Sequence, residues 1–174
     1  MVNVMAVDSD KGKTPDQGQA PGASDAPDGL QQLQAMLAGK LRAPMAEKLG
    51  FDLVELERGR VVFEGKPDRS VYNPLGSVHG GYASTLLDSA CGIAVHSTLG
   101  PNRGHTSLDL KVSFVRGLNE QSGTVRATGT VISVGRRVAF AEAALHDAQG
   151  RLCATATSTL LVFDAESPLP SPPG

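Results

Sequence analysis

A single carboxylate stands out in the middle of the chain. Between Arg69 and Arg103 lie 33 residues with only one formally charged side chain, that of Asp88. It is set in an apolar stretch that includes Leu86 and Leu87, where a buried carboxylate is costly unless it is paired or hydrogen-bonded. Carboxylates in such surroundings concentrate at functional sites, which makes Asp88 a candidate catalytic group. The alternative is a narrow solvent-facing polar strip formed by Asp88 with Ser84, Thr85 and Ser89.

A glycine-rich loop precedes this carboxylate. Residues 73–81 read Asn-Pro-Leu-Gly-Ser-Val-His-Gly-Gly, in which Asn-Pro favours a turn and the glycines leave the backbone bare. The loop leads into the N-terminus of a helix, where free N–H groups and the positive end of the helix dipole can polarise a carbonyl or hold an oxyanion. Gly80 would allow a substrate to approach its N–H closely. The alternatives are a loop that only packs against a sheet and a structural role for His79.

The elements that must position these residues follow from the hydrophobic pattern. Residues 77–99 are predicted to contain a helix that is apolar around nearly its whole circumference, so it must be buried. Leucines at helical spacing over residues 30–41 predict a short amphipathic helix, and the apolar runs on either side of Arg58-Gly59 predict a hairpin. Four further strands are predicted to form an antiparallel meander, at residues 107–114, 124–133, 137–146 and 152–163.

A long antiparallel sheet that curls around one buried helix satisfies this pattern. The predicted fold class is therefore α+β, and the arrangement is the hotdog fold. One domain of residues 29–165 is predicted, flanked by a disordered N-terminal tail of residues 1–28 and a Pro-rich C-terminal tail of residues 166–174. Residues 8–29 contain no Leu, Ile, Val, Met or aromatic residue, so they cannot bury enough apolar surface to offset the entropy lost on ordering.

Composition narrows the classes of function. The chain has 174 residues, a formal net charge of -2 and 4% aromatic residues without tryptophan, which does not suit nucleic-acid binding. No apolar run approaches the length of a membrane span, and two cysteines make no disulfide framework. The start has no secretory signal, so a cytoplasmic protein is expected. The four histidines are scattered, so no metal site is predicted, and Gly-x-Ser-x-Gly and P-loop motifs are absent.

The loop and the carboxylate together are more specific than either alone. Asn73, then His79-Gly80-Gly81, then Asp88 eight residues beyond Gly80 resemble the signature of hotdog-fold acyl-CoA thioesterases, in the PaaI-like branch of the phenylacetate pathway. The resemblance runs from about residue 44 to residue 163, so it leaves out both tails.

The resemblance implies a role for each matching residue. Asp88 would act either as a nucleophile or as the base for an attacking water. The Gly80 N–H would polarise the thioester carbonyl. Asn73 and His79 would help to orient the thioester or the water.

A hydroxyl from the strand after the helix completes the implied site. Thr106 matches that position, with Ser107 beside it as the alternative, and strand alternation decides which of the two points inward. The residues implied in binding the substrate and its CoA moiety are Gly81, Ser107, Gly135, Arg136 and Arg137. Arginine suits phosphate because of its forked donors, although exposed charge at a strand end is the simpler explanation of either arginine.

The function that the resemblance implies is hydrolysis of an acyl-CoA to a carboxylic acid and free CoA. It implies aryl or arylacetyl groups first and medium-chain fatty acyl groups next, with no cofactor beyond the CoA of the substrate. A non-catalytic acyl-CoA binding or sensing module is the alternative, and a purely structural hotdog dimer is the third hypothesis.

The same spacing predicts an assembly. Gly80 and Asp88 are eight residues apart on one helix, about 12 Å at a rise of ~1.5 Å per residue, which is too far for one carbonyl to touch both. Two antiparallel helices related by a two-fold axis would bring Gly80 of one subunit opposite Asp88 of the other. A homodimer with two shared sites is therefore predicted, with a dimer of dimers as the further expectation.

Overall fold

The computed structural model describes residues 26–165. The predicted C-terminal tail and most of the predicted N-terminal tail lie outside these residues. Asp28, the last residue assigned to the N-terminal tail, caps the first helix of the folded domain. Its side chain accepts a hydrogen bond of 2.9 Å from the Gln31 N–H and caps the first helix. Its carboxylate also pairs with Arg58 at 2.7 Å, which ties the start of the domain to the predicted hairpin turn.

Three α-helices lie within the described residues: α1 Gly29–Ala38, α2 Pro44–Leu49 and α3 Gly80–His96. The amphipathic helix predicted over residues 30–41 corresponds to α1, and α2 is a further short helix that was not predicted. Pro44 begins this second helix, because proline lacks a backbone N–H and the first turn of a helix needs none for its internal hydrogen bonds. Short 3-10 turns occur in the connections at Arg69–Val71 and Glu120–Ser122. None of the helices described here has the length and apolar character of a membrane span.

The strands form one antiparallel sheet. They are β1 Phe51–Glu57, β2 Arg60–Gly65, β3 Arg103–Phe114, β4 Val125–Val134, β5 Val138–His146 and β6 Leu152–Asp164. Their order across the sheet is β1-β2-β4-β5-β6-β3. The predicted turn at Arg58-Gly59 is present, and Gly59 takes the positive φ of 81° that it requires. Gly150, in the turn between β5 and β6, has a φ of 74°.

The predicted meander of four consecutive strands is wrong for one strand. Strands β4, β5 and β6 are neighbours in sequence and in space, but β3 pairs with β6, and β2 pairs with β4. The reason is the long connection from β3 to β4, residues 115–124, which carries the chain across the sheet, whereas tight turns join β4 to β5 and β5 to β6. As a result, β3 is an edge strand, with one side unpaired in the described part of the chain.

Helix α3 packs against one face of this sheet and contacts every strand from β2 to β6, so the sheet must curve around it. Leu86, Leu87 and Val95 of α3 are fully buried in the resulting core. At Gly129 of β4, an added Cβ would lie 2.2 Å from the carbonyl oxygen of Ala90, so only glycine permits this approach of the helix. The predicted α+β hotdog fold is confirmed.

Candidate active site

One face of α3 is less buried than the rest of the helix. Ser84, Thr85, Asp88 and Ser89 recur along it at helical spacing and are partly exposed, whereas most other positions of the helix are buried. The helix is therefore not apolar on all sides, and the polar strip considered from the sequence exists. Asp88 lies within this strip, but it is half-buried and hydrogen-bonded rather than free in solvent.

The hydrogen bond to Asp88 comes from the neighbouring strand. The Ser107 hydroxyl of β3 donates to Oδ1 of Asp88 over 2.9 Å. Thr106 is exposed and alternates to the other face of the strand. Of the two hydroxyls considered from the sequence, that of Ser107 faces the helix carboxylate within one protomer.

A β-bulge explains why Ser107 rather than Thr106 faces α3. The partners of Ser107 and Asp109 are consecutive residues of β6, so Leu108 is an extra residue in the ladder, and its side chain is 59% exposed. Leu110, beyond the bulge, packs on the core. Before the bulge, the inward and outward positions of the strand are exchanged, so the side chains that face α3 are those of His105 and Ser107.

At the start of α3 the backbone presents a free donor. His79 is the N-cap residue, and its Nδ1 accepts a hydrogen bond of 2.8 Å from the Gly81 N–H. The neutral imidazole then carries its hydrogen on Nε2. The Gly81 N–H, a predicted substrate-binding group, is thus already used by His79. Within the described chain nothing accepts from the Gly80 N–H, and a Cβ added at Gly80 would lie 3.0 Å from the Phe114 ring.

The side chain of Asn73 holds the preceding loop together. Its Oδ1 accepts hydrogen bonds from the N–H groups of Leu75 and Ser77, at 2.9 and 3.3 Å, and its Nδ2 donates to the Ser77 hydroxyl at 3.0 Å. Gly76 closes the turn with a φ of 84°. The His79 N–H donates to a carbonyl before the turn, at Val71. Asn73 therefore shapes the loop that delivers His79 and Gly80 to the helix.

Two separate cavities contain the candidate residues. The first has a volume of about 430 Å³ and is lined by Asp88 and Ser107 together with apolar side chains from α1, α2 and β1. The second, of about 320 Å³, is lined by His79 and Gly80. No residue lines both. One protomer therefore brings Asp88 together with Ser107, and His79 together with Gly80, but it does not bring the two pairs together.

A histidine that sequence reasoning missed lines the first cavity. His105 lies in β3 two residues before Ser107, and its ring contacts that of His96 with centroids 5.4 Å apart. Burial, with a smaller contribution from His96, lowers the pKa of His105 to about 4, so the ring is neutral near pH 7. Weighing the histidines only as metal ligands concealed it. The signal in the sequence is that His105 is a polar residue on the side of β3 that faces α3. The bulge at Leu108 hides this orientation, because it reverses the alternation of the strand.

Three of the residues predicted to bind the substrate or its CoA moiety lie outside both cavities. Gly135, Arg136 and Arg137 form the exposed turn between β4 and β5. The Arg103 guanidinium donates to the Arg136 carbonyl, and the Arg137 carbonyl accepts a hydrogen bond of 2.9 Å from the Val162 N–H. None of the three turn residues lines either of the two cavities described above.

Other reactive groups near Asp88 are unsuited to catalysis. Cys91 is fully buried on α3, and burial, together with the charges of Asp88 and Glu142, raises the pKa of its thiol to about 12. A protonated thiol is a poor nucleophile. Across residues 26–165, no group of three or more His, Cys, Asp and Glu side chains is arranged to hold a metal ion.

The known proteins to which this chain is similar include thioesterases. The family model of the thioesterase superfamily matches residues 75–154. The 1,4-dihydroxy-2-naphthoyl-CoA hydrolase of Listeria monocytogenes is 25% identical over 118 residues, which are 68% of this chain and 94% of that protein. A thioesterase family protein from Silicibacter pomeroyi superposes with a TM-score of 0.69 at 28% identity, covering 79% of this chain and 99% of the other. The E. coli PaaI protein from the phenylacetic acid degradation operon gives a TM-score of 0.69 at 21% identity, covering 79% and 94%.

The fold is the hotdog fold, and the matched segment is similar to the thioesterase superfamily, which indicates a thioester hydrolase. The chain is also similar to PaaI-related thioesterases, in line with the resemblance of its loop and helix. The matched residues contain Gly80, Asp88 and Ser107.

Proposed function

We propose that the substrate is an acyl-CoA, which the enzyme hydrolyses to a carboxylic acid and free CoA. The observation that carries this proposal is the position of Asp88. Its half-buried carboxylate, held by Ser107, opens onto an apolar cavity of about 430 Å³. A reactive acid beside an apolar pocket of this size suits a substrate that joins an apolar group to a polar reacting centre.

The start of α3 would supply the electrophilic half of the reaction. The free Gly80 N–H, at the positive end of the helix dipole, would accept the negative charge that develops on the thioester oxygen. His79, with its hydrogen on Nε2, would donate to the same oxygen or to water. Asn73 would act through the shape of the loop rather than by touching the substrate.

Asp88 would supply the nucleophilic half. It either attacks the carbonyl carbon, forming an anhydride that water then hydrolyses, or removes a proton from the attacking water. Ser107 would orient the carboxylate in both routes, which is the role first expected of Thr106. The thiolate of CoA leaves in either case, and because it is a stable anion, no strong general acid is required.

We further propose that each site is shared between two subunits. The two halves of the site lie about 12 Å apart along one helix and line separate cavities. The open edge of β3, a strand of 12 residues, offers the surface for antiparallel pairing with a second copy, which would continue the sheet and set two α3 helices antiparallel. Exposed Leu108, Ile132 and Phe140 on the outer face of the sheet would serve a dimer of dimers.

The acyl group would be a medium-length aliphatic chain in preference to an aryl group. The first cavity is walled mainly by flexible aliphatic and thioether side chains, with two phenylalanines among them: Leu33, Met36, Leu37, Leu41, Met45, Phe51, Leu53, Phe63 and Ile93. The flexible members would adapt their rotamers to the shape of an acyl chain, since thioethers fill irregular gaps. Arg116 beside Gly80, and Arg136 and Arg137 on their turn, would meet the CoA phosphates. The two free cysteines suit a reducing compartment such as the cytoplasm.

Thiol release measured with a panel of acyl-CoAs tests the proposal. We expect turnover with medium-chain acyl-CoAs, such as hexanoyl- to decanoyl-CoA, and slower turnover with benzoyl- and phenylacetyl-CoA. Tight binding of acyl-CoA without any release of thiol would overturn hydrolysis and support the binding or sensing module instead. Release from aryl substrates alone would overturn the aliphatic preference.

A further inference from the structure

The first cavity is lined by one imidazole, that of His105, which has no part in the proposed reaction. His105 lines this cavity from β3. Nothing in residues 26–165 forms a hydrogen bond with its imidazole, whereas the neighbouring His96 has its Nε2 3.2 Å from the Oε1 of Gln32 on α1. A ring that is neutral near pH 7 can both donate and accept a hydrogen bond.

Gly92 makes room for this imidazole. A Cβ at Gly92 would lie 3.1 Å from the Nε2 of His105, closer than ordinary van der Waals contact. Gly92 and His105 both line the cavity, and so does Ile93 beside them. The ring nitrogen is thus directed to the part of α3 that borders the acyl pocket rather than into the sealed core.

His105 lies a defined distance from the reacting group. Asp88 and Gly92 are four residues apart on α3, which is about 6 Å. Ser107 and His105 are two residues apart on β3, which is about 7 Å. The Asp88–Ser107 pair and the Gly92–His105 pair are therefore two neighbouring contacts between α3 and β3, and the two contacts lie about 6 to 7 Å apart. An oxygen on the fifth carbon of an extended acyl chain lies about this far from the thioester carbon.

We propose that His105 is a specificity-determining residue, which selects aliphatic acyl groups that carry a hydroxyl oxygen about one helical turn beyond the thioester. The hydroxyl would exchange a hydrogen bond with the ring nitrogen, while the remainder of the chain packs on the leucine and methionine walls of the cavity. An unsubstituted chain would leave this imidazole without a partner inside an apolar pocket, which is costly. The inference rests on the acyl-CoA substrate proposed above.

The test compares hexanoyl-CoA with 5-hydroxyhexanoyl-CoA, which differ by one oxygen. For the wild type we expect kcat/KM to favour the hydroxylated ester about tenfold, the value of one well-formed neutral hydrogen bond. His105→Phe keeps a flat ring without nitrogen, so the preference should fall to less than about twofold through a higher KM for the hydroxylated ester. His105→Gln places an amide near the former Nε2 and should restore most of the preference.

Equal kcat/KM values for the two esters in the wild type would overturn the proposal, as would a preference that His105→Phe leaves intact. Folding of each variant is checked by its thermal unfolding midpoint, and His105→Leu, which also lacks a nitrogen, carries the test if the Phe variant does not fold. If neither ester is hydrolysed, the proposed function fails separately. The Kd values of the two esters, measured by calorimetry, then decide the role of His105 by the same tenfold criterion.

Discussion

The Ser107 hydroxyl donates a hydrogen bond of 2.9 Å to the Asp88 carboxylate across the gap between β3 and α3. Asp88 has no cationic partner within its own helix, and the hydroxyl of a neighbouring strand offsets part of the cost of its partial burial. The orientation of the carboxylate therefore depends on the register of β3, which the bulge at Leu108 determines.

Ser107→Ala should reduce kcat. Loss of the hydroxyl leaves the Asp88 carboxylate free to rotate, and we expect kcat for hexanoyl-CoA to fall about tenfold, the equivalent of one hydrogen bond. Thr106→Val is the matched control, because it removes a hydroxyl from the adjacent, outward-facing position. Steady-state kinetics of both variants provide the measurement. A larger loss in the Thr106 variant would contradict the assignment of Ser107.

Asp88→Asn should abolish most of the activity while preserving the fold. The amide has nearly the same shape, and its oxygen can still accept from Ser107, but it is neither nucleophile nor base. We expect kcat to fall at least ~100-fold. The thermal unfolding midpoint should hold or rise, because a half-buried charge becomes neutral. Ser89→Ala, one residue along the same face, is the control, and an Asp88→Asn enzyme within a few-fold of wild type would exclude Asp88 from the chemistry.

Gly80→Pro should remove a single N–H from the site. Gly80 is the first residue of α3, where proline is favoured, and His79 before it has the extended conformation, with ψ at 134°, that proline requires of its predecessor. Gly80→Ala is the control, since it adds the Cβ near Phe114 but keeps the N–H. We expect kcat to fall ~100-fold or more in the Pro variant and much less in the Ala variant. Similar losses in the two variants would show that crowding against Phe114 is responsible.

Stability should decline on mild acidification. Burial lowers the pKa of His105 to about 4 and also lowers the pKa of His96, whereas in the unfolded chain both take up a proton near pH 6.5. Protons therefore favour the unfolded chain, so this stability is fully present above pH 6.5 and is lost as the pH falls from 6.5 towards 4. From His105 alone the free energy of unfolding should fall by about 2 kcal/mol between pH 7 and pH 5.

Urea unfolding at these two pH values measures the effect. His105→Gln should show a smaller difference between them, because glutamine does not titrate. The carboxylates whose pKa values are lowered, among them Glu55 and Asp68, change charge at lower pH and contribute little within this window. An equal pH dependence in wild type and variant would mean that His105 is already accessible to protons in the folded state.

Residue types and spacing predicted the parts of this structure that are determined locally. The largely apolar α3, the glycine turn and the alternating strands led to the hotdog fold, and the Gly80–Asp88 spacing indicated that the two residues lie apart in one protomer, where they line different cavities. Proline at position 44 also carries a local signal that is compatible with either the start of α2 or the end of α1. A helix N-terminus and a helix interruption can both place proline at such a position.

The parts that sequence reasoning did not predict depend on hydrogen bonds between distant segments. The bulge at Leu108 places one extra residue opposite β6, and a leucine there continues the apolar alternation, so the sequence conceals the change of phase. Thr106 was therefore expected to face inward, and both Ser107 and His105 were misjudged. The pairing of β3 with β6 is equally invisible locally, since it depends on the path of residues 115–124 across the sheet.

The shared site can be tested by mixing two inactive variants. Asp88→Asn lacks the carboxylate and Gly80→Pro lacks the N–H donor, so each homodimer has two defective sites. A mixed dimer has two shared sites. One of them contains both substitutions and is inactive, whereas the other combines the native Gly80 of one subunit with the native Asp88 of the other and is intact. Equal mixing and refolding make about half of the dimers mixed, and each mixed dimer holds one intact site of two. We therefore expect about a quarter of the wild-type activity to return.

If both groups act within one chain, every chain in the mixture lacks one of them, and no activity should return. Distinct affinity tags on the two variants allow mixed dimers to be isolated, so that failure to exchange subunits is not mistaken for failure to complement. Asp88→Asn mixed with a differently tagged copy of itself is the negative control. Gly80 and Asp88 of one protomer line different cavities. Activity that appears only in the doubly tagged fraction would therefore mean that each active site combines Gly80 from one subunit with Asp88 from the other.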